Sequence, residues 1–371
     1  MIKVSVVKCS SYKNTEVRKD LEESLKNINF SFKKGMKILI KPNILSPVEP
    51  EAAITTHPVI IEELCKILKK HNAKIFIGES SSYSTNLGFE VSGIGKLKKY
   101  GKIINFEAED KEFFNTLNKK IPLPKILFDV DLIINVPKLK THSLTLVTLC
   151  VKNLYGCIPG KLKENYHKIF PSAKKFSRLL FELHEKIKPQ LNIIDGVEGL
   201  EGNGPAAAGE KIKSNLIIAS KNAIAADIIA SEIIGFKPFS IFTNKFSNIK
   251  RKDIEVTGDA KDLKLNFKKP LTAVPIAAPI FYFITGLFPK ARIKFNHKNC
   301  TKCKLCEKKC PVKAIALFPW PECNYKKCIR CLCCIEVCQQ GAVSLEEHWT
   351  KKFIKKIYKS VWDRNEKDKR D

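Results

Sequence analysis

The chain has 371 residues and a formal net charge of +28, from 66 Lys and Arg against 38 Asp and Glu. This length predicts one large domain with a smaller one, and no RNA- or DNA-binding motif accompanies the scattered lysines, so we do not expect nucleic-acid binding. No signal peptide opens the sequence, so the 14 cysteines do not indicate a secreted protein held by disulfides. We expect the protein to lie in a reducing cytoplasm, that of an anaerobe or of a cell that lives at low oxygen.

Short apolar runs alternate with amphipathic stretches through roughly the first 260 residues. This alternation is typical of an α/β domain with a largely parallel sheet and flanking helices. The helix from Pro58 has proline at its first position, an ordinary start signal. The predicted strands are 2–8, 36–41, 73–78, 102–106, 131–136, 191–195, 214–219 and 253–257. The predicted helices are 14–28, 58–71, 144–154, 172–188 and 222–235.

Lysines follow two of the predicted strands directly, at the place where α/β sheets bind ligands. A lysine so placed can hold a carboxylate or a phosphate, or can act as base or nucleophile when its pKa is lowered. A solvated loop lysine is the alternative for any one of them. The predicted catalytic residues are Lys41, Lys138, Lys140 and His142.

A second group of loop residues is predicted to bind a ligand. Closely spaced glycines let backbone amides approach an anion, although a plain turn explains them equally well. The predicted binding residues are Gly202, Gly204, Lys152 and Asn153.

An uncharged run occupies residues 271–288, between basic flanks. Its length is near the lower limit for crossing a bilayer, but Pro275, Pro279 and Gly286 argue against a continuous helix. We favour an apolar connector docked on the protein, and peripheral membrane anchoring and a membrane span stay open as alternatives. The predicted domains are residues 1–268, a connector at 269–294, a small domain at 295–346 and a basic tail at 347–371.

Two cysteine ladders near the C-terminus have the C-x2-C-x2-C-x3-C spacing of bacterial ferredoxins, and one is offset from the other by 28 residues. In such modules three thiolates of one ladder hold a [4Fe-4S] cluster and the fourth ligand comes from the other ladder. The ladders therefore predict two [4Fe-4S] clusters in a duplicated ferredoxin-type domain, with zinc sites or disulfides as the alternative. One cluster is assigned to Cys300, Cys303, Cys306 and Cys338, and the other to Cys328, Cys331, Cys334 and Cys310.

Two further cysteines, Cys323 and Cys333, lie outside the ladder pattern. We interpret them as small apolar fillers. Cys333 is next to Cys334 in the chain, so an alternative ligand role stays open for it.

Several motifs of the large domain resemble those of the uncharacterised DUF362 family, whose members often carry a C-terminal two-cluster ferredoxin. The resemblance covers nearly the whole chain and implies a fold and cofactors but no reaction. The longer apolar connector and the basic tail depart from it. The motifs are Lys41-Pro42-Asn43, Thr56-His57-Pro58, Gly78-Glu79-Ser80, Pro137-Lys138-Leu139-Lys140-Thr141-His142, Lys152-Asn153-Leu154-Tyr155-Gly156, Asp195-Gly196, Gly202-Asn203-Gly204-Pro205 and Ala226-Asp227.

Three functions compete at this point. The leading hypothesis is an oxidoreductase in which the clusters pass electrons to an anionic small molecule in the α/β domain, with a redox partner protein. The second is an electron-transfer or assembly protein without its own catalysis. The third is a non-redox isomerase or lyase, because the order of strand, His57-Pro58 helix and strand ending at Gly78-Glu79 is similar to that of the lactate racemase family. That family implies a catalytic lysine and histidines that work with a nickel-pincer cofactor.

Overall fold

The structure, a computed structural model, describes residues 1–160, 162–273 and 292–346. Most of the predicted connector and the whole basic tail lie outside these residues, so the predictions made for them stay predictions. Within the described ranges, no helix combines the length and the apolar character needed to cross a bilayer.

A sheet of ten strands forms the centre of the large domain. The domain also carries a separate two-stranded hairpin of β5 and β6. The strands are β1 (Ile2–Lys8), β2 (Lys37–Lys41), β3 (Lys74–Glu79), β4 (Lys102–Asn105), β5 (Lys111–Thr116), β6 (Lys119–Pro124), β7 (Leu132–Asn135), β8 (Lys138–His142), β9 (Leu146–Thr148), β10 (Leu191–Gly202), β11 (Gly209–Ser220) and β12 (Ile254–Thr257).

The sheet is mostly parallel, in the order β12-β1-β11-β10-β7-β2-β3-β4, and β8 pairs with both β10 and β9. Only β11 runs antiparallel to both of its neighbours, and β9 runs antiparallel to β8. The central strands are mostly apolar because both faces of the sheet are covered, although Asn135, Asn192 and Asp195 are also buried in them. In β2, for example, Ile38 and Ile40 face one core and Leu39 faces the other. The predicted α/β class with a largely parallel sheet is confirmed.

Helices cover both faces of this sheet. The first two pack on one face, and those that follow β9 and β11 pack on the other. The α-helices are α1 (Asn14–Asn27), α2 (Pro58–Lys69), α3 (Thr85–Val91), α4 (Ile126–Asp129), α5 (Cys150–Asn153), α6 (Leu162–Ile169), α7 (Ala173–Ile187), α8 (Ala223–Ile233) and α9 (Phe242–Lys245). Short 3-10 turns occupy Pro50–Ala52, Ile94–Lys99, Leu154–Cys157, Pro238–Ser240 and Arg251–Asp253.

The C-terminal module repeats one structural unit. Its elements are β13 (Arg292–Phe295), α10 (Leu305–Lys308), β14 (Ile315–Leu317), β15 (Pro321–Cys323), α11 (Cys333–Glu336) and β16 (Val343–Glu346). Adding the sequence offset of 28 places α10 on α11 and β14 on the first three residues of β16. The module packs on the large domain through Leu144, Ala208 and Leu271, and Lys309 Nζ lies 2.7 Å from Glu164 Oε1.

The structure corrects several predicted elements. The predicted helix 144–154 is instead strand β9 followed by the short helix α5, and residues 138–142, which we expected to be a loop, form strand β8. The hairpin of β5 and β6 was not predicted, and β10 and β11 extend well beyond 191–195 and 214–219. Strand β13 pairs with β16, although its residues 292–294 lie in the stretch predicted as the connector. The domain bounds themselves stay predictions.

Candidate functional site

A buried ion pair joins the ends of two neighbouring parallel strands. Lys41 Nζ at the end of β2 lies 2.6 Å from Glu79 Oε2 at the end of β3, and neither side chain is more than 1% exposed. A Cβ on Gly156 would overlap both groups, so a glycine is required at this position. Removal of one partner of such a pair leaves a buried charge uncompensated. The pair therefore fixes the floor of the site.

Three further lysines line a cleft above this ion pair. Lys140 Nζ donates to Asn43 Oδ1 (2.6 Å) and to the Ile54 carbonyl (2.7 Å). Lys163 Nζ donates to the Ser80 carbonyl and to Ser80 Oγ. Lys152 Nζ lies 5.2 Å from the centroid of the Tyr155 ring. In the described part of the chain, none of the three forms an ion pair with a carboxylate.

Burial shapes the charge of these lysines. Desolvation penalises the ammonium form, and it lowers the pKa of Lys140 to about 7 and that of Lys163 to about 8. The pKa of Lys152 is also lowered, again chiefly by burial. Lys41 already pairs with Glu79, so the three lysines outnumber the one remaining carboxylate among the described residues of the cleft, Glu336. This excess of positive charge suits an anionic ligand, which would favour their protonated forms.

Helix α5 delivers Lys152 and Asn153 to the cleft. Asp227 of α8 accepts the amides of Cys150 (2.7 Å) and Val151 (3.0 Å) at the start of α5. Burial raises the pKa of Asp227 to about 7, although these amides oppose the rise. Asn153 Nδ2 donates to Asn135 Oδ1 at 2.8 Å. The Ala226-Asp227 motif thus positions the Lys152-Asn153 motif.

The C-terminal module supplies one wall of the cleft through Glu336 of α11. Glu336 Oε1 lies 3.1 Å from His142 Nε2, and both side chains are buried. His142 Nδ1 accepts the Leu144 amide, so the neutral ring carries its proton on Nε2, facing Glu336. Burial lowers the pKa of His142 to about 4. Burial opposes ionisation of Glu336, but His142 and Lys152 beside it hold its pKa well below the usual range.

The cleft is small. Its free volume is about 40 Å³, which is room for about three water molecules. The residues that line it include Asn43, Glu79, Ser80, Lys140, Thr148, Lys152, Asn153, Lys163, Pro205 and Glu336. Four of the predicted site residues therefore meet here, because Lys41 lies beneath the cleft and Lys140, Lys152 and Asn153 line it. His142 borders the cleft through Glu336.

Lys138 does not line the cleft, although it was predicted to share a site with Lys140. Lys138 Nζ lies 3.0 Å from Asp195 Oδ2 and donates to Tyr12 Oη at 2.6 Å. Tyr12 in turn donates to Asp195 Oδ1 (2.9 Å) and stacks on the His57 ring at 3.6 Å. These contacts satisfy the Lys138 ammonium within the fold. The catalytic role predicted for Lys138 stays a prediction.

The two predicted glycines form a turn beside β8. The Gly202 amide donates to the Lys268 carbonyl at 2.7 Å, so it is already bonded. Gly204 packs so closely on Thr141 that a Cβ would overlap the Thr141 carbonyl oxygen. In this turn it is Pro205 that reaches the cleft. Ligand binding by Gly202 and Gly204 stays a prediction.

The ladder cysteines surround two separate cavities. Cys300, Cys303, Cys306 and Cys338 line the first cavity. Cys310, Cys328, Cys331 and Cys334 line the second, together with Cys323 and Cys333. Each cavity thus receives three thiols from one ladder and one from the other. This donor set fits a cubane cluster in each cavity.

The part of the large domain that holds the cleft matches a known family. Residues 38–232, more than half of the chain, match the family model described as Domain of unknown function (DUF362). The chain belongs to the DUF362 family. Residues 293–316 match a 4Fe-4S binding domain, so this DUF362 protein carries an iron–sulfur module, a type of domain that serves electron transfer.

A curated relative of this DUF362 protein is the thylakoid-associated protein sll1697 of Synechocystis sp. The two are 32% identical over 251 residues, which cover 65% of this chain and 77% of the relative. Among solved structures, the lactate racemase apoprotein of Thermoanaerobacterium thermosaccharolyticum is similar at 16% identity and a TM-score of 0.36, over 51% of this chain and 49% of that one. That similarity is too low to support an argument about fold or activity.

Sequence reasoning on this DUF362 chain missed two residues of the cleft, Lys163 and Glu336. Lys163 belongs to a lysine-rich helix that looks solvated, and nothing in the sequence marks its burial. Glu336 did carry a signal. At the repeat offset of 28 it corresponds to Lys308, so the charge reverses between the two halves of the small domain.

Proposed function

We propose that this protein is an iron–sulfur oxidoreductase that reduces a small anionic molecule bound in the lysine cleft. One observation carries the proposal: Glu336, which forms a wall of the cleft, lies in α11 between Cys334 and Cys338. The electron-donating module and the binding site therefore share one helix. We further propose two [4Fe-4S] clusters, ligated as the two cavities suggest.

The residues of the cleft have separate tasks in this proposal. Each cluster supplies one electron at low potential. Lys140, Lys152 and Lys163 bind and orient the anion, while the Lys41–Glu79 pair keeps the floor in place. A two-electron reduction also takes up two protons, and Lys140 and Lys163, whose pKa values are about 7 and about 8, can donate them from Nζ.

The gathered lysines favour this function over a purely partner-binding protein. A docking face needs lysines spread over an exposed surface, whereas Lys140 and Lys163 are 1% and 4% exposed. Buried cations of this kind serve a small ligand.

The test compares two lysines of the same helix, α6. Lys163 lines the cleft and Lys168 is exposed to solvent. Anaerobically prepared protein, its clusters reduced, is mixed with anions that can accept electrons, namely nitrate, nitrite, sulfite and short α-keto carboxylates, and cluster reoxidation is followed by absorbance. Phosphate, which can bind but cannot be reduced, is the blank. We expect one anion to reoxidise the clusters, K163M to slow this at least tenfold, and K168M to leave it unchanged.

Two results would count against the function. In the first, no anion reoxidises the clusters and none raises the melting temperature of the protein. In the second, K163M and K168M reoxidise at the same rate. Iron content is measured for each variant, so that loss of a cluster is not mistaken for loss of binding.

We also propose peripheral membrane association of a protein that is otherwise cytoplasmic. Two observations support this proposal: the Synechocystis relative is a thylakoid-associated protein, and residues 271–288 form an uncharged run between basic flanks. Deletion of this run should abolish sedimentation with anionic vesicles. Equal sedimentation with and without the run would leave it as a docked connector.

A further inference from the structure

The two thiol cavities differ in their access to solvent. Cys303 of the first cavity is exposed, and Cys300, Cys306 and Cys338 are partly buried. In the second cavity Cys331 and Cys334 are buried, and Cys310 and Cys328 are partly buried. Cys334 is in the same helix, α11, as Glu336 of the cleft. Electron transfer between proteins requires a cluster close to the surface, so the first cavity is the side from which a partner can be reached.

We propose that the face around Cys303 is the docking surface for an acidic electron-carrier protein, which reduces the cluster of the first cavity. The inference rests on the iron–sulfur function proposed above. It assigns a direction to the electrons, from the more exposed first cavity to the less exposed second cavity and then to the cleft.

The charge of this face fits an acidic partner. Cys303 is flanked by Lys302 and Lys304, and Lys298 and Lys308 are exposed nearby. Between residues 297 and 308 the one acidic residue is Glu307, and it is partly buried. Complementary charge accelerates the encounter of two proteins and orients them.

Aromatic side chains add an apolar centre. Phe318, in the turn between β14 and β15, is 90% exposed, and Tyr83 of the large domain lines the first cavity and is 41% exposed. Exposed aromatic groups among charged residues are characteristic of protein interfaces. A bare cationic patch for small ions would not need them.

Part of the face is pre-organised. The ring of Trp320 stacks on His297 at 4.7 Å with an angle of 4° between the planes, and Lys302 Nζ lies 4.0 Å from the Trp320 centroid. Fixing Lys302 before the partner arrives lowers the entropy cost of association.

The repeat shows that this face is specific to one half of the module. At the offset of 28, Cys303 corresponds to Cys331 and Lys304 to Leu332, which are 8% and 4% exposed. The equivalent positions of the second ladder are therefore buried. At these positions the first half of the module is exposed to solvent and the second half is not.

The experiment uses the full chain with its clusters and a reduced acidic [2Fe-2S] ferredoxin as the probe. The rate of cluster reduction is measured anaerobically by stopped flow at several salt concentrations. We expect K302E/K304E to lower the second-order rate at least tenfold at low salt and to weaken its salt dependence. F318S should lower the rate without changing the salt dependence.

The matched control is K326E/K327E, which makes the same charge change at two exposed lysines beside the second ladder. Its rate should stay within twofold of the unaltered protein. Reduction by dithionite, which needs no docking, should be nearly equal in all variants that retain their iron. K298E/K308E serves as a second docking variant if K302E/K304E loses iron.

Three results would overturn the docking surface. In the first, the control variant is reduced as slowly as K302E/K304E, and in the second, both are reduced as fast as the unaltered protein. In the third, Lys302 and Lys304 are needed for binding to anionic vesicles and not for reduction by the carrier. Failure of the proposed function gives a different result from failure of the docking surface. In that case the protein reduced by dithionite passes no electrons to any anion.

Discussion

At the scale of single residues, Lys140 makes the cleft sensitive to pH. Burial lowers its pKa to about 7, so the ammonium is lost as pH rises through 7 and anion binding weakens. If the anion binds only when Lys140 is an ammonium, loss of that one proton should lower its affinity by about a hundredfold between pH 6 and pH 9, and the titration of Lys163 adds about a further tenfold. Titration of the bound anion by calorimetry measures this.

The variant K140M separates the two titrating lysines of the cleft. Without Lys140 the midpoint of the remaining pH dependence should move upward to that of Lys163, whose pKa is about 8. A flat affinity in the unaltered protein would mean that Lys140 does not contact the anion.

The sequence predicted part of this residue set for a physical reason. Lys41, Lys140, Lys152 and Asn153 follow or flank buried strands and belong to motifs, so topology could place them. Lys163 could not be predicted in this way, because the residues around it in the sequence do not distinguish a buried lysine from the other 65 basic residues. Lys138 was misplaced because its partners, Tyr12 and Asp195, are distant in sequence.

At the scale of elements, α5 is a short helix held by one side chain. D227A removes the acceptor of two buried amides, those of Cys150 and Val151, and should cost about 2–4 kcal/mol of unfolding free energy. It should also weaken anion binding, since Lys152 and Asn153 lie in α5. Urea unfolding and anion titration measure the two effects.

A second substitution near α8 provides the control. Asn222 caps α8 by accepting the Ala225 amide at 2.9 Å, so N222A should cost about 1 kcal/mol and leave anion affinity unchanged. Equal loss of affinity in N222A and D227A would show a general loosening of the fold.

Element prediction succeeded where burial is uniform and failed at the rim of the sheet. Apolar runs such as Ile38–Ile40 predicted their strands well. The spacing of Leu144, Val147, Cys150, Val151 and Leu154 favoured a helix over 144–154, but pairing of β9 with β8 determined the structure instead. Strand β8 contains one apolar residue, Leu139, among lysines, threonine and histidine. Its sequence therefore predicts a loop, because the residues that cover its polar side chains come from distant segments.

At the scale of the whole molecule, the two cavities predict the iron content. Anaerobically prepared protein should contain about eight irons and eight acid-labile sulfides per chain. C310A should damage the cluster of the second ladder, and C338A that of the first, as seen by electron paramagnetic resonance. The reason is that each of these thiols lines the cavity of the other ladder.

The opposite pattern is equally measurable. If each substitution damages the cluster of its own ladder, the crossed ligation is wrong. About four irons per chain, or zinc in their place, would contradict the two-cluster assignment itself.

The spacing of the cysteines was enough to predict the duplicated module, because ligand geometry restricts it tightly. The position of the module on the large domain could not be predicted. It depends on Leu144, Ala208 and Leu271, which are ordinary apolar residues in sequence.

The place of Glu336 has a consequence for the protein in air. Helix α11 carries both Glu336 and Cys334, a proposed cluster ligand, so oxidative destruction of the proposed cluster should release the helix and withdraw one wall of the cleft. Oxygen would then remove the electron supply and the binding site in one event. A cell that meets oxygen would retain an inert protein that no longer sequesters its anion, and rebuilding the cluster would restore both capacities together.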